Sequence, residues 1–437
     1  MKPRPSQRPS MKPAKTALVQ IEKPTYGGAF LARLEGKAVF VPLTLPGEQA
    51  RIRIIEDKRS YANAEPEKIV SLSPDRVQAG CPHFGICGGC SYQHTTYETQ
   101  LGLKQQILRE TLQRGGVPPP QEIEVLAASP WGYRNRIRLA FDTAGSVGYR
   151  SRRSHEIIAI KECPIAAPLL IKAALHAAEI LRIAKPAFRP TELSLFCDGE
   201  EKALLASIYV NDPRGQGFDQ FATAWKDRVP ELAGAECIHE NSTGTISKQL
   251  ARWGEDSILY RAAGSDYRVD HGSFFQVNRW LIDALVQRAV ADYHGSLAWD
   301  LYAGVGLFAR QLAGHFEEVI AVESAPAATQ ALTQNLHGTN GRSSTIDTLS
   351  FLKARTPAAT PDLIVVDPPR AGLGPEITSL LGEIRTPALV YVSCDPSTLA
   401  RDLKALTASG YSLDSVTLAD LFPQTFHLET VVTLHRS

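Results

Sequence analysis

The 437-residue sequence predicts an α/β protein with a small N-terminal β-barrel, a mixed α+β centre and an open doubly wound C-terminal sheet. Residues 17–72 alternate apolar and polar side chains between glycine-containing turns, which predicts short strands of a barrel. Residues 73–269 open with a cysteine cluster and mix strand-like with helical segments. In residues 270–437, apolar strands alternate with helix-length segments, the pattern of a parallel sheet covered by helices.

Composition and charge narrow the class of protein. The chain is 43% hydrophobic and 21% charged, with a net charge of +1, which argues against a simple polycationic coat protein of nucleic acid. No segment approaches the ~18 uninterrupted apolar residues of a membrane span. Residues 1–16 are basic and proline-rich without a signal-peptide core, so a disordered tail is expected. We therefore expect a cytoplasmic protein with no membrane contact and no obligate protein partner.

The C-terminal sheet is predicted from five apolar strands and their helical connections. A helix is expected from about Tyr97 to Arg114 in the central region, and Asn278 is expected to cap a helix that runs through Val290. The five predicted strands are Leu297–Leu301, Val319–Val322, Leu363–Val366, Leu389–Val392 and Val431–Leu434.

A glycine turn follows the first of these strands. Gly304 and Gly306 permit a tight turn and close approach of the backbone to a ligand. Glu323 ends the next strand, nineteen residues after Gly304, where a carboxylate can accept hydrogen bonds from ribose hydroxyls. The same spacing fits the dinucleotide fingerprint, so this motif leaves a dehydrogenase, a methyltransferase and a purely structural turn open.

Three reactive side chains stand at the ends of later strands. Asp367 precedes two prolines, which either hold it at the sheet edge facing the crevice or form a rigid turn. Cys394 precedes a helix expected to begin at Pro396 or Ser397, whose dipole favours a thiolate, although cysteines are often inert and buried. Glu429 begins the last strand, either as a placed base or as a solvated strand end.

Taken together, six segments resemble the RNA uracil-5-methyltransferase family, in particular its bacterial 23S ribosomal RNA branch. The resemblance implies a class I (Rossmann-like) sheet that binds S-adenosylmethionine. The segments are SFFQVN (Ser273–Asn278), DLYAGVGLF (Asp300–Phe308), VIAVE (Val319–Glu323), DPPRAGL (Asp367–Leu373), SCDP (Ser393–Pro396) and FPQTFHLETV (Phe422–Val431).

The resemblance also implies roles for single residues. Cys394 matches the nucleophile that adds to carbon 6 of uracil, and Glu429 matches the base that removes the carbon-5 proton. The target base would be flipped out of its stack to react. Leu307 and Asp395 stand where relatives have Asn. The residues that match or adjoin the cofactor contacts are Gln276, Tyr302, Gly304, Gly306, Glu323, Asp347 (on the adenine side) and Asp367.

A cysteine cluster opens the central region with the spacing C-x5-C-x2-C. Cys81, Cys87 and Cys90 form this cluster, and Cys163 lies downstream in a Cys-Pro pair. The spacing alone leaves a [4Fe-4S] cluster and a structural zinc site open. The family resemblance favours the [4Fe-4S] cluster. Cys197 and Cys237 are expected to be ordinary buried thiols.

RNA contact is expected in two places. The run 130–161 is rich in arginine and aromatic residues, and Arg134, Arg136 and Arg138 share one strand face, as either an electrostatic track or a solvated face. By resemblance, the N-terminal barrel is similar to a TRAM domain, an RNA-binding module. The expected partner is 23S ribosomal RNA, with transfer RNA as the alternative.

Three other functions compete with uracil methylation. The glycine turn suits an NAD-dependent oxidoreductase. Asp-Pro-Pro resembles part of the motif of a methyltransferase that acts on an exocyclic amine, a reaction that needs neither Cys394 nor Glu429. A non-catalytic RNA-binding protein with a relic pocket is the third, and the presence of both residues argues against it.

Overall fold

The computed structural model describes residues 15–241, 246–355 and 360–436. The tail predicted for residues 1–16 lies outside these residues except for its last two. No helix in the described ranges is long and apolar enough to cross a membrane.

Five strands close into the N-terminal barrel in the order β1-β2-β3-β5-β4. Strands β3 and β5 pair in parallel, and the other pairs are antiparallel. Alternate side chains such as Val19, Ile21 and Phe30 fill its core because successive residues of a strand point to opposite faces. The strands are β1 (Thr16–Pro24), β2 (Ala29–Leu34), β3 (Lys37–Pro42), β4 (Gln49–Asp57) and β5 (Tyr61–Ser71).

The central region contributes a seven-stranded sheet in the order β13-β12-β11-β10-β7-β8-β9, with two helices packed into its core, and a separate hairpin of β14 and β15. It is preceded by a helix and a short strand, α1 (Tyr97–Arg114) and β6 (Glu124–Leu126). The further elements are β7 (Arg136–Phe141), β8 (Val147–Arg150), β9 (Ile157–Ala159), α2 (Pro168–Ala184), β10 (Pro190–Cys197), β11 (Leu204–Val210), α3 (Phe218–Arg228), β12 (Leu232–Glu240), β13 (Ile246–Gly254), β14 (Ser257–Ala262) and β15 (Ser265–Asp270).

The C-terminal region forms an eight-stranded sheet in the order β18-β17-β16-β19-β20-β22-β21-β6. The first five strands are parallel and β22 is antiparallel to β20, so the five predicted strands and the doubly wound class are confirmed. The elements are α4 (Ile282–Val290), β16 (Gly295–Leu301), α5 (Leu307–Leu312), β17 (Phe316–Val322), α6 (Pro326–Leu336), β18 (Gly341–Ser344), α7 (Thr348–Arg355), β19 (Leu363–Val366), α8 (Gly374–Ile384), β20 (Ala388–Ser393), α9 (Pro396–Ala408), β21 (Ser412–Ala419) and β22 (Glu429–His435).

Helix α1 and strand β6 join this C-terminal sheet although they lie early in the chain. Strand β6 pairs in parallel with β21, with Glu124 opposite Thr417. Helix α1 packs on α9 so closely that a Cβ on Gly115 would lie 2.6 Å from the Cβ of Ala400. Helix α1 is therefore part of the layer that covers the C-terminal sheet, beside the loop that contains Cys394.

The prediction that Asn278 caps α4 is wrong as to the capping residue, which is Leu281, although Asn278 Oδ1 accepts from Trp280 N at 3.1 Å in the turn before the helix. Helix α4 begins four residues later, at Ile282. The buried Asn278 amide instead donates to the carbonyls of Asp420 and Leu421 at 3.4 and 3.2 Å. It ties the start of the C-terminal domain to the segment that leads to Glu429.

Candidate active site

A cavity of about 760 Å³ opens at the carboxyl ends of the parallel strands. This is the edge at which ligands bind to open α/β sheets. The volume lies within the ~300–1,000 Å³ of ordinary ligand pockets. The predicted residues that line it are Gln276, Tyr302, Gly304, Glu323, Asp367, Cys394 and Glu429.

The glycine loop and the end of β17 form one hydrogen-bonded unit. Gly304 N donates to Glu323 Oε2 at 2.9 Å, while the amides of Ser324 and Ala325 donate to Glu323 Oε1 at 2.7 and 2.6 Å. These bonds orient the carboxylate into the cavity. Gly306 lies away from the cavity wall at the start of α5, where its φ of 90° and a gap of 2.7 Å between its ideal Cβ and Leu332 Cδ1 require glycine.

Tyr302 separates the main cavity from a side pocket of about 140 Å³. Its φ of 66° is unusual for a residue with a side chain, and such strain concentrates at binding sites. Asp347 lines the side pocket, and its Oδ1 accepts a hydrogen bond from Ser350 N at 2.9 Å in the first turn of α7. The hydrogen bonds from Ser350 lower the pKa of Asp347, so this pocket contains a carboxylate.

Asp367 directly follows β19 and lines the cavity. Gln276 Nε2 donates to Asp367 Oδ2 at 3.5 Å, which brings together two residues that are 91 positions apart. Burial raises the pKa of Asp367 to about 7. A bound cation would lower this pKa, because a neighbouring opposite charge favours the ionised form.

Cys394 and Glu429 face each other across two paired strands. Ser393 at the end of β20 pairs with Thr430 in β22, so the next register position brings Cys394 opposite Glu429. Burial, followed by the neighbouring carboxyl of Asp367, raises the pKa of Glu429 well above its usual range. Only about 5% of Glu429 is exposed, so it is a buried acid rather than a solvated strand end.

The helix dipole was expected to favour a Cys394 thiolate, but another side chain occupies the first amides of that helix. Helix α9 begins at Pro396 as predicted, but Asp395 Oδ1 accepts from the amides of Ser397 and Thr398 at 2.9 and 3.0 Å. Asp395 therefore uses the donors at the helix start. Burial and the carboxyls of Glu429 and Asp367 raise the pKa of Cys394 to about 11.

Two further residues at the site were not predicted. Asp300 is fully buried below the glycine loop, where its Oδ2 accepts from Ala309 N at 2.8 Å and burial raises its pKa to about 8. Arg370 is the one Lys or Arg among the described residues that line the main cavity, and its Nη2 lies 3.2 Å from His427 Nδ1. Both residues lie within segments that carry the family resemblance. The sequence alone did not show that Asp300 is buried or that Arg370 lines the cavity.

The cavity fits S-adenosylmethionine in size and charge. The ligand carries an adenosine, for which Glu323 and the side pocket supply carboxylates, and a sulfonium cation, which the carboxyls of Asp367 and Glu429 would stabilise.

Comparison with known proteins decides the family. Residues 358–437 match the family tRNA (Uracil-5-)-methyltransferase, and residues 12–66 match the TRAM domain. The chain is 31% identical to the 23S rRNA (uracil(1939)-C(5))-methyltransferase RlmD of Shewanella denitrificans, over 92% of both chains. It belongs to the RNA uracil-5-methyltransferase family.

Two more relatives support this assignment. An uncharacterized RNA methyltransferase of Gloeobacter violaceus is 32% identical over 99% of both chains. The solved structure of the Pyrococcus abyssi tRNA (uracil-54, C5)-methyltransferase with S-adenosyl-L-homocysteine has a TM-score of 0.77 and 25% identity, and covers 95% of this chain and 100% of that chain. The protein is therefore an S-adenosylmethionine-dependent methyltransferase, and the oxidoreductase alternative is excluded.

The four cysteines predicted to bind a metal lie outside the cofactor cavity. Cys81, Cys87, Cys90 and Cys163 line a separate cavity of about 70 Å³. Gly89 N lies 3.4 Å from Cys87 Sγ and donates to it. Across the described ranges, no three or more His, Cys, Asp or Glu side chains are arranged to hold a metal ion. The four thiols thus share a cavity without converging on one point.

Arg134, Arg136 and Arg138, interpreted as either an electrostatic track or a solvated face, do not form one exposed face. Arg134 lines the cysteine cavity, and Arg136 stacks 4.4 Å from the ring centroid of Phe196 and donates to Ser273 O at 2.7 Å. Arg138 alone is exposed, and two glutamates pair with it. The spacing of the arginines did not reveal that the guanidinium groups of Arg134 and Arg136 donate hydrogen bonds within the protein.

Proposed function

We propose that this enzyme methylates carbon 5 of a uridine in structured RNA through a covalent bond between Cys394 and carbon 6 of the base. The observation that carries the proposal is the register of β20 and β22, which brings Cys394 opposite Glu429 at the cofactor cavity. The reaction requires that a nucleophile reach carbon 6 and a base reach the carbon-5 proton of the same ring, and neighbouring side chains on paired strands can do both. Methylation of an exocyclic amine would leave both side chains without a role.

The reaction follows from the chemistry of the two side chains. Carbon 5 of uracil is a weak nucleophile. When the Cys394 sulfur bonds to carbon 6, the electron pair of the 5,6 double bond becomes an enolate that makes carbon 5 nucleophilic. Carbon 5 accepts the methyl group of S-adenosylmethionine, and the electron pair of the broken sulfur–methyl bond stays on the sulfur of the leaving S-adenosylhomocysteine. Glu429 then takes the carbon-5 proton, the electron pair restores the double bond, and the carbon–sulfur bond breaks to release the Cys394 thiolate.

The raised pKa of Cys394 means that the free enzyme holds mainly the thiol at neutral pH. Arg370 opposes this shift by lowering the pKa of Cys394 through its positive charge. A bound sulfonium cation acts in the same direction, because opposite charge favours the ionised form. We infer that the nucleophile is activated only in the assembled site, which protects it from side reactions.

Five side chains and the glycine loop would hold the cofactor. Glu323 and Asp347 are suited to the ribose and adenine, because they lie at the side pocket. Tyr302 lines both cavities and is suited to contact the adenine between them. Gln276 and Asp367 form one polar pair that suits the amino-acid and sulfonium end. Gly304 keeps the loop close to the ligand, and Gly306 maintains the loop shape.

The four cysteines would hold a [4Fe-4S] cluster. Each iron of such a cluster takes one thiolate, so the ligands surround a cavity instead of meeting at a single ion. The arrangement of Cys81, Cys87, Cys90 and Cys163 around one cavity supports this assignment, and structural zinc is the alternative. When bound, the cluster would staple the loop 81–90 to the segment around Cys163.

The RNA substrate is proposed as 23S ribosomal RNA. The support comes from two Shewanella enzymes named for uracil 1939 of 23S rRNA, each 31% identical over 92% of both chains. Transfer RNA is the alternative, because the solved relative is named for transfer RNA at the lower identity of 25%. The TRAM-matching barrel supports an RNA partner in either case.

The experiment compares two variants that fail at different steps. Cys394→Ala should bind RNA and cofactor yet give neither methylated product nor adduct. Glu429→Gln should add to the base, accept the methyl group and stall as a covalent protein–RNA complex, visible as a shifted band in denaturing gels with labelled RNA. Cys197→Ala is the control, because it removes a buried thiol outside the cavity. Substantial turnover by Cys394→Ala would overturn the mechanism and favour amine methylation.

A further inference from the structure

The first turn of the N-terminal barrel lies against the active site of the C-terminal domain. Tyr26 belongs to the turn between β1 and β2, and its ring meets Phe426 edge-on, with centroids 5.9 Å apart and planes at 81°. Phe426 lies in the loop that leads to Glu429. The barrel, which matches an RNA-binding module, therefore contacts the catalytic loops directly.

The fit of this turn is close. Gly28 has a φ of 84°, and a Cβ at this position would lie 3.0 Å from Ser91 Oγ and 3.1 Å from Phe426 Cδ1. Ser91 is the residue after Cys90. The turn thus fills a slot between the loop that contains Cys90 and Ser91 and the loop before Glu429. A residue larger than glycine would crowd both loops at this position.

The Tyr26 hydroxyl extends from this slot to the nucleophile loop. It lies 3.5 Å from the carbonyl oxygen of Cys394 and donates to it. Burial of the ring and the nearby Asp395 carboxylate raise the pKa of Tyr26 above its usual range, so the hydroxyl keeps its proton as a donor. Asp395 in turn holds the first turn of α9 through the amides of Ser397 and Thr398.

We propose that Tyr26 is a positioning residue that orients the Cys394 sulfur from the N-terminal barrel. Its hydroxyl contacts the peptide on the carboxyl side of Cys394, between the end of β20 and the start of α9. Fixing this peptide restricts the rotation that would turn the thiol away from carbon 6 of the base. Tyr26 does not line the cofactor cavity, so it acts through Cys394 and Asp395. The inference rests on the proposed role of Cys394.

The test uses Tyr26→Phe, which keeps the ring and its contact with Phe426 but removes the hydroxyl. The rates of adduct formation and of methyl transfer in a single turnover, with the RNA that wild type methylates, should fall about two- to tenfold, the usual effect of losing one hydrogen bond. S-adenosylmethionine affinity and thermal midpoint should stay at wild-type values. Tyr61→Phe is the matched control, because Tyr61 is in the same barrel and meets Phe40 edge-on at 5.9 Å, away from the cavity.

A double variant separates positioning from general stabilisation. If the hydroxyl acts through the nucleophile loop, Asp395→Asn and Tyr26→Phe should together slow the reaction by less than the product of their separate effects. Both substitutions alter the interaction between the Tyr26 hydroxyl and the nucleophile loop. Equal rates for Tyr26→Phe and Tyr61→Phe would overturn the inference while leaving the proposed function intact. A Tyr26→Phe defect confined to cofactor affinity or thermal midpoint would also overturn it. A wild-type enzyme that forms no adduct would refute the proposed function itself.

Discussion

Gln100 and Gln424 bind each other through two hydrogen bonds: Gln100 Nε2 donates to Gln424 Oε1 at 2.9 Å, and Gln424 N donates to Gln100 Oε1 at 3.0 Å. The carbonyl of Gln424 also accepts from the amides of Ser91 and Tyr92 at 2.9 and 3.0 Å. Gln424 has a φ of 68°, so these contacts hold a strained residue five positions before Glu429. Helix α1 and the cysteine-containing loop together shape the approach to the proposed base.

Replacing Gln100 with Ala should therefore destabilise the protein by about 1–3 kcal/mol, because it leaves a buried amide without a partner. Urea denaturation measures this loss. Gln106→Ala is the control, because the exposed Gln106 lies on the same helix and its amide donates to the half-exposed Glu110 side chain. Similar denaturation midpoints for the two variants would mean that the pair does not anchor the loop.

The second prediction concerns a buried ion pair beside this loop. Lys104 and Asp420 are both fully buried, with Nζ 2.5 Å from Oδ1. Lys104→Met should cost about 3–5 kcal/mol, because Asp420 would remain as an uncompensated buried charge. Lys23→Met, which breaks a half-exposed pair with Glu110, should cost about 1 kcal/mol or less.

A second substitution checks the cause of that loss. Asp420→Asn in the Lys104→Met background removes the remaining charge and should restore part of the stability. A double variant less stable than Lys104→Met by urea denaturation would contradict the electrostatic explanation.

The third prediction concerns the pH dependence of stability. The pKa of Asp300 is about 8 in the folded protein and about 3.9 in an unfolded chain. Between these values the folded state keeps a proton that the unfolded state releases, so the free energy of unfolding falls as pH rises. Asp300→Asn should make this fall shallower and raise the stability at pH 8 relative to wild type.

Urea midpoints at several values between pH 5 and pH 8 measure this effect. The slope should shrink without vanishing, because burial also raises the pKa of Asp367 and Glu429. Parallel curves for wild type and Asp300→Asn would show that the buried carboxyl does not titrate in this range.

The fourth prediction concerns the cysteine cavity. Protein purified without air should be brown and contain iron and sulfide. Cys163→Ser should lose the iron as completely as Cys87→Ser, because both complete one set of ligands. Cys237→Ser should retain it, since Cys237 is buried in the core of the central sheet. Colourless protein with stoichiometric zinc would favour the structural zinc site instead.

The sequence by itself determined the features that depend on local patterns. The apolar strands, the helix Tyr97–Arg114 and the helix start after Asp395 follow from periodicity and turn chemistry, and the structure confirms them. Asp367 and Cys394 follow apolar strands, which predicted one shared crevice because carboxyl ends of parallel strands meet at one edge. Glu429 joins them because β22 runs antiparallel to β20, so that its first residue lies at the same edge.

Only the tertiary structure decided how these groups behave. Burial, followed by the neighbouring carboxyls of Glu429 and Asp367, raises the pKa of Cys394. Arg134 and Arg136 contact distant segments and are half-buried, although their spacing suggested one exposed face. Tyr26 reaches the nucleophile loop across 368 residues of sequence. Burial and Coulomb interactions depend on distances in space. For residues that are far apart in the chain, those distances are fixed only when the protein folds.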